Sequence, residues 1–151
     1  MSDPVEVRFV RVPAAEGFDP PTLATAGSAA FDLRARLSGL ELSIGPGEVE
    51  VIPTGLRLAI PTGFEGQVRM RSGLSVLGLS LANGVGTIDS DYRGEVGVIV
   101  SNIGRGPIRI ERGQRIAQLA IRPVPAVRLV EVDSLDETDR GAGGFGSTGL
   151  D

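Results

Sequence analysis

The chain contains no cysteine, no histidine, no lysine and no tryptophan. Without cysteine, disulfides and thiolate metal sites are excluded, which fits a reducing compartment. Without lysine there is no Walker-type phosphate loop and no Schiff-base chemistry. Without histidine or cysteine, a general base at neutral pH has to be an Asp or a Glu. No apolar run approaches the ~20 residues that a membrane helix needs, and MSDPVEVRF lacks the apolar core of a signal peptide. The expectation is a cytoplasmic protein without a membrane partner. A net charge of −4 argues against a general grip on nucleic acid.

All 15 basic residues are arginines. A GC-rich genome accounts for such a bias, and arginine is also suited to bidentate phosphate contacts. At 151 residues the chain reads as one domain with an aliphatic core. The segments VEVRFVR, VEVIP, GLRLAI, GQVRMR, VGVIVSN, PIRIE and RIAQLAI alternate at period two, and Gly-Pro, Pro-Thr-Gly and Asn-Gly pairs punctuate them. Glycine at 22 positions disfavours long helices, so one short helix is expected, around Ser72 to Leu77. The fold class is all-β, a jelly-roll-like distorted barrel. The barrel is expected over residues 1–132. Residues 133–151 have no periodicity and many glycines, and are expected to form a flexible arm.

In GTIDSDYRGEVGV, alternation puts Thr87 and Asp89 on one face and Ile88 on the other, with Asp-Tyr-Arg-Gly as the turn into the next strand. From the residues alone, Asp89 reads either as a water-facing hairpin acid or as a general base. Arg71, Ser72 and Gly73, between a strand and a short helix, offer a guanidinium, a hydroxyl and amides to phosphate oxygens. Arg-Ser-Gly is also ordinary turn chemistry, as is Asn83-Gly84. In RGQRIAQLAI, alternation sets Arg115, Ala117 and Leu119 opposite Ile116, Gln118 and Ala120, where Gln118 amid apolar neighbours reads as a satisfied core amide before a ligand contact. Arg140, Phe145, Ser147 and Thr148 are an unusual set for a featureless tail.

Taken together, AGSAAFDLRA (26–35), RMRSGLS (69–75), NGVGTIDSDYRGEVGV (83–98), RGQRIAQLAI (112–121) and RGAGGFGSTG (140–149) closely resemble the five ordered motifs of the trimeric dUTP diphosphatases. The resemblance implies a homotrimer with three sites at subunit boundaries, each covered by a swapped arm. It implies hydrolysis of dUTP to dUMP and pyrophosphate, which keeps uracil out of DNA and supplies dUMP for thymidylate synthesis. Asp89 resembles the general base that orients a water toward the α-phosphorus. Asn83 and the backbone at Gly86 and Gly97 match the groups that read the uracil edge, with Thr87 beside them. Tyr92 matches the ring that packs on deoxyribose and excludes a ribose 2′-hydroxyl.

Arg71, Ser72, Gly73 and Gln118 match the family's phosphate contacts. Arg140 resembles an arginine finger, Phe145 a ring stacked over uracil, and Gly146, Ser147 and Thr148 further phosphate donors. Mg²⁺ is expected on the triphosphate, with Asp32 either meeting it through water or holding an arginine. Met70 stands where the family usually has proline. The other readings weighed are a dCTP deaminase, for which Glu95 lies in the outgoing strand rather than the turn, and a nucleotide-binding protein without catalysis.

Overall fold

The computed structural model describes residues 4–13 and 18–144. Within them lie β1 (Arg8–Arg11), β2 (Phe31–Arg34), β3 (Glu41–Ile44), β4 (Val49–Ala59), β5 (Phe64–Met70), α1 (Ser72–Val76), β6 (Leu79–Leu81), β7 (Gly86–Ile88), β8 (Glu95–Asn102), β9 (Ile108–Glu111) and β10 (Arg115–Pro123). Two four-stranded sheets, ordered β1-β4-β8-β6 and β2-β10-β5-β7, are joined by the ribbon β3-β9. Every pairing is antiparallel. This is the all-β, jelly-roll-like architecture expected, and α1 falls where the short helix was placed.

Period-two patterning fills the core. Ile52, Leu56 and Leu58 on β4 and Val96, Val98 and Val100 on β8 point inward from one sheet. Leu33, Val68, Ala117 and Leu119 do so from the other. Fully burying a side chain of the Val or Leu class contributes about 1.5–3 kcal/mol. Met70, at the family's usual proline position, packs against this core and stands opposite Ala117 in the ladder.

The structure departs from simple alternation in three places. VEVIP and GLRLAI form one strand, β4, because Pro53 interrupts no ladder bond. Its carbonyl accepts the Arg36 N–H at 2.7 Å, away from β8, and its missing N–H would have pointed to that same open side. In β1 all four residues are exposed, so its alternation buries neither face. In β10 a bulge between Arg115 and Ala117 places Ile116 and Ala117 both in the core. The extra residue moves Arg115 onto the face of Gln118, which is half-buried at the sheet surface rather than a core amide. β10 ends at Pro123, and residues 124–144 contain no strand or helix.

Asn102 closes the far end of β8. Its Nδ2 donates to the Ile44 and Gly106 carbonyls, both at 2.8 Å, and its Oδ1 accepts the Gly104 N–H at 2.9 Å. The side chain is fully buried and every polar atom is used. Asn102→Leu strands three backbone groups without partners, so the expected loss of stability is about 3 kcal/mol, read as a lower urea midpoint at fixed protein concentration.

Candidate active site

β7 and β8 belong to different sheets, so the segment between them is a crossover and not the ordinary hairpin that its sequence suggests. The turn also comes earlier than Asp-Tyr-Arg-Gly. It is closed by the Tyr92 N–H donating to the Asp89 carbonyl at 3.1 Å, with Ser90 and Asp91 at its tip. Asp89 therefore sits at the mouth of a turn, exposed, while Ile88 before it is anchored in the core. Thr87 and Asp89 face outward and Ile88 inward, as alternation requires.

The crossover and the adjoining face of β8 enclose a pocket of 190 Å³ whose lining includes Asn83, Gly86, Thr87, Asp89, Tyr92 and Gly97. Six expected site residues thus share one cavity with a carboxylate, a ring, an amide and two side-chain-free stretches of backbone. The sequence reading missed Val68, Ile99 and Glu95, which also line it. A Cβ at Gly86 would approach the Val68 Cβ to 3.0 Å, and one at Gly97 the Val51 Cγ1 to 2.9 Å. A side chain at Gly86 would have to displace the buried Val68, and one at Gly97 would push aside the exposed Val51.

Gly94 has a related role. The Tyr92 ring lies against its Cα, and an added Cβ would stand 2.9 Å from Cε2 and closer still to the phenol oxygen. The Tyr92 hydroxyl donates to the Glu95 carbonyl at 3.0 Å. The ring is therefore fixed at both ends by its own turn.

A second group lies at the other end of β5. Arg115 Nη1 donates to Asp32 Oδ2 at 3.1 Å, and Arg71 Nε stands 3.3 Å from Oδ1. The latter is an ion pair by distance but is not aligned as a hydrogen bond, which leaves Oδ1 without a hydrogen-bond partner. Asp32 thus holds two arginines, one of the two roles expected for it. Arg115 was not among the expected site residues; the bulge that turns it toward Asp32 leaves no mark on the alternation. Gln118 stands opposite both Asp32 and Arg69 in the ladder. Arg71 caps α1 in extended backbone, Ser72 and Gly73 are exposed, and no side chain caps the helix's first N–H groups.

These two groups do not meet within one chain. Ile88 is opposite Gly66 on β5, and Arg71 lies five residues further along. At ~3.3 Å per residue, with Asp89 one step the other way, Asp89 and Arg71 are separated by roughly 20 Å. In the arm, Arg140 Nε donates to the Gly143 carbonyl at 3.0 Å and touches neither group. Phe145, Gly146, Ser147 and Thr148 lie outside the described residues. A larger groove of 620 Å³ beside β1, near Arg8, Arg57 and Arg93, has no carboxylate in its lining.

Tyr92 is the only tyrosine and there is no tryptophan, so intrinsic emission reports this pocket alone. Gly94→Ala should push the ring off its seat and raise acrylamide quenching of that emission. Quenching identical to the parent chain would show that the ring does not rest on Gly94.

The family model described as dUTPase matches residues 16–149. The deoxyuridine 5'-triphosphate nucleotidohydrolase of Methylocella silvestris is 51% identical over 151 residues, covering 99% of this chain and 94% of its own. That of Rhizobium etli (strain CFN 42) is 49% identical, covering 97% and 96%. The dUTPase of Staphylococcus bacteriophage 80alpha, solved with dUPNHPP, superposes with a TM-score of 0.85 at 26% identity, covering 96% of this chain and 99% of its own. With a family model spanning nearly the whole chain and half of its residues shared with such relatives, this chain belongs to the dUTPase family, hydrolases that act on deoxyuridine 5'-triphosphate.

Proposed function

We propose that the chain hydrolyses dUTP to dUMP and pyrophosphate by attack of a water, activated by Asp89, on the α-phosphorus. The observation that carries this reading is the 190 Å³ pocket, which places Asp89 beside Asn83, Gly86, Tyr92 and Gly97. Uracil enters against the backbone at Gly86 and Gly97 with Asn83 at its edge. Cytosine would leave those groups unpaired, and the thymine methyl would meet backbone. The deoxyribose packs on Tyr92, where a 2′-hydroxyl has no room. Asp89 accepts the water proton as the new O–P bond forms, and the bond from the α-phosphorus to the bridging oxygen breaks to release pyrophosphate.

The phosphates need Arg71, Ser72, Gly73 and Gln118, a group that one chain holds apart from Asp89, with Arg71 roughly 20 Å away (about six strand residues). Two copies meeting at a boundary supply both halves, and a homotrimer does this three times with closed symmetry. The arm, residues 133–151 in this reading, brings Arg140, Phe145, Gly146, Ser147 and Thr148 over the site of a neighbour. Among the described residues no three His, Cys, Asp or Glu side chains cluster to hold a metal. Asp32 is already flanked by Arg71 and Arg115 and would meet a cation only through water. Mg²⁺ thus fits as a companion of the triphosphate, where it would offset phosphate charge. The proposed compartment is the cytoplasm; no helix of the described residues is long and apolar enough to cross a membrane.

Asp89→Asn keeps shape and removes the base, so turnover should fall by about 10²–10⁴ while dUTP binding persists. Product chromatography and calorimetry separate the two effects. Near-normal turnover would remove Asp89 from the mechanism.

The shared site has its own test. Asp89→Asn and Arg71→Ala chains, each inactive alone, should regain dUTPase activity when unfolded and refolded together. A mixture as inactive as its parents would place both residues in sites built by one chain.

Truncation after Thr138 should leave an assembly of unchanged size in chromatography with a severely reduced rate. An unaffected rate would separate the arm from catalysis.

A further inference from the structure

We infer that Glu95 is a positioning residue that sets how strictly the pocket rejects ribonucleotides, acting together with Arg36 and through Tyr92. The inference rests on the reading of Tyr92 as the ring that packs on the sugar. It adds a device that neither the motif pattern nor the nucleotide chemistry specifies.

The device starts in the ladder. Between Pro53 and Arg57 the register of β4 against β8 shifts, and Thr54, Gly55 and Leu56 have no strand partner there. The Thr54 hydroxyl recovers one bond by donating to the Val96 carbonyl at 2.7 Å. The Gly55 N–H donates to Glu95 Oε1 at 2.8 Å, so a side chain replaces a missing backbone acceptor. The same carboxylate is gripped by the Arg36 guanidinium through two bonds, Nε to Oε1 at 3.1 Å and Nη2 to Oε2 at 3.3 Å. Such forked contacts fix orientation as well as distance. The two side chains are 21% and 26% exposed, sheltered enough for the pair to hold its geometry.

Glu95 is thus tied to β4 and to the segment after β2, and its carbonyl receives the Tyr92 hydroxyl at 3.0 Å. With Gly94 beneath the ring, the height of Tyr92 over the sugar follows from where Glu95 is held. Steric rejection of one added hydroxyl demands a rigid wall, because extra volume is costly only where the surrounding packing cannot give way. A wall free to tilt admits the 2′-hydroxyl.

Glu95→Gln keeps an acceptor for Gly55 but weakens the grip of Arg36, and Arg36→Met removes that grip while leaving Glu95 intact. The measurement is kcat/KM for dUTP and for UTP with each full-length variant. Their ratio is independent of the fraction of folded enzyme, so it does not respond to a merely structural loss. In both variants the ratio should fall roughly tenfold, with no further fall in the double variant. Tyr92 emission should become more open to acrylamide in both. Should Glu95→Gln fail to fold, Arg36→Met carries the same test. A ratio unchanged in Arg36→Met, with the wild type discriminating, overturns the inference and leaves the sugar reading intact. A wild type that uses dUTP and UTP alike overturns the sugar reading, and this inference with it.

Discussion

One shift of register in β4 shapes the end of the molecule that carries Asp89 and Tyr92. Where Pro53 gives way to Arg57 the ladder to β8 opens, and the groups released have to bond elsewhere because unpaired buried amides are costly. The Gly55 N–H finds Glu95, its carbonyl accepts the Val12 N–H at 2.8 Å, and Thr54 reaches Val96. The first residue of β8 is thereby fixed, and the turn carrying Asp89 and Tyr92 hangs from it. Without those bonds the turn would be a free loop joining two sheets.

The other end of β5 is organised around a charge, that of Asp32. Asp32 accepts Arg115 and stands against Arg71, and its side chain is only 10% exposed. A sheltered carboxylate between two guanidiniums keeps both extended across the sheet surface, with charge left to meet an anion. A lysine ammonium, a point charge without the guanidinium fork, would give this cluster less directional contacts. β5 lies between the two ends, and its length sets the separation between them.

Much of this was legible in the sequence, unevenly. Period two located β1, β4, β5, β8, β9 and β10, and the motif order singled out Asn83, Gly86, Asp89, Tyr92 and Gly97, which the fold gathers into one pocket. The strands β2, β3 and β6 went unseen because runs of three or four residues are a marginal periodic signal, one that β9, equally short, only just gave through PIRIE. The bulge in β10 was invisible for another reason. Register against neighbouring strands is a tertiary property, and alternation alone put Arg115 on the wrong face. Glu95 was read as a strand residue near the turn; its role exists only because Gly55, forty residues away, lacks a partner.

The chain beyond β10 completes the case for assembly on physical grounds. Val127 is 75% exposed, Leu129 95% and Leu135 85%, in a stretch without strand or helix. A soluble chain scatters single apolar side chains over its surface, but a run of them on an extended segment calls for a surface to cover it. β1 is an edge strand with Phe9 and Val10 exposed, so the body also presents uncovered apolar surface. The separation of Asp89 from Arg71 along β5 and an apolar stretch leaving the body would both be met by the proposed assembly, in which neighbouring copies supply what each chain lacks. The proposed assembly would also make use of Gly141, Gly143 and Gly144, since a segment that reaches a neighbouring subunit gains from a pliable backbone.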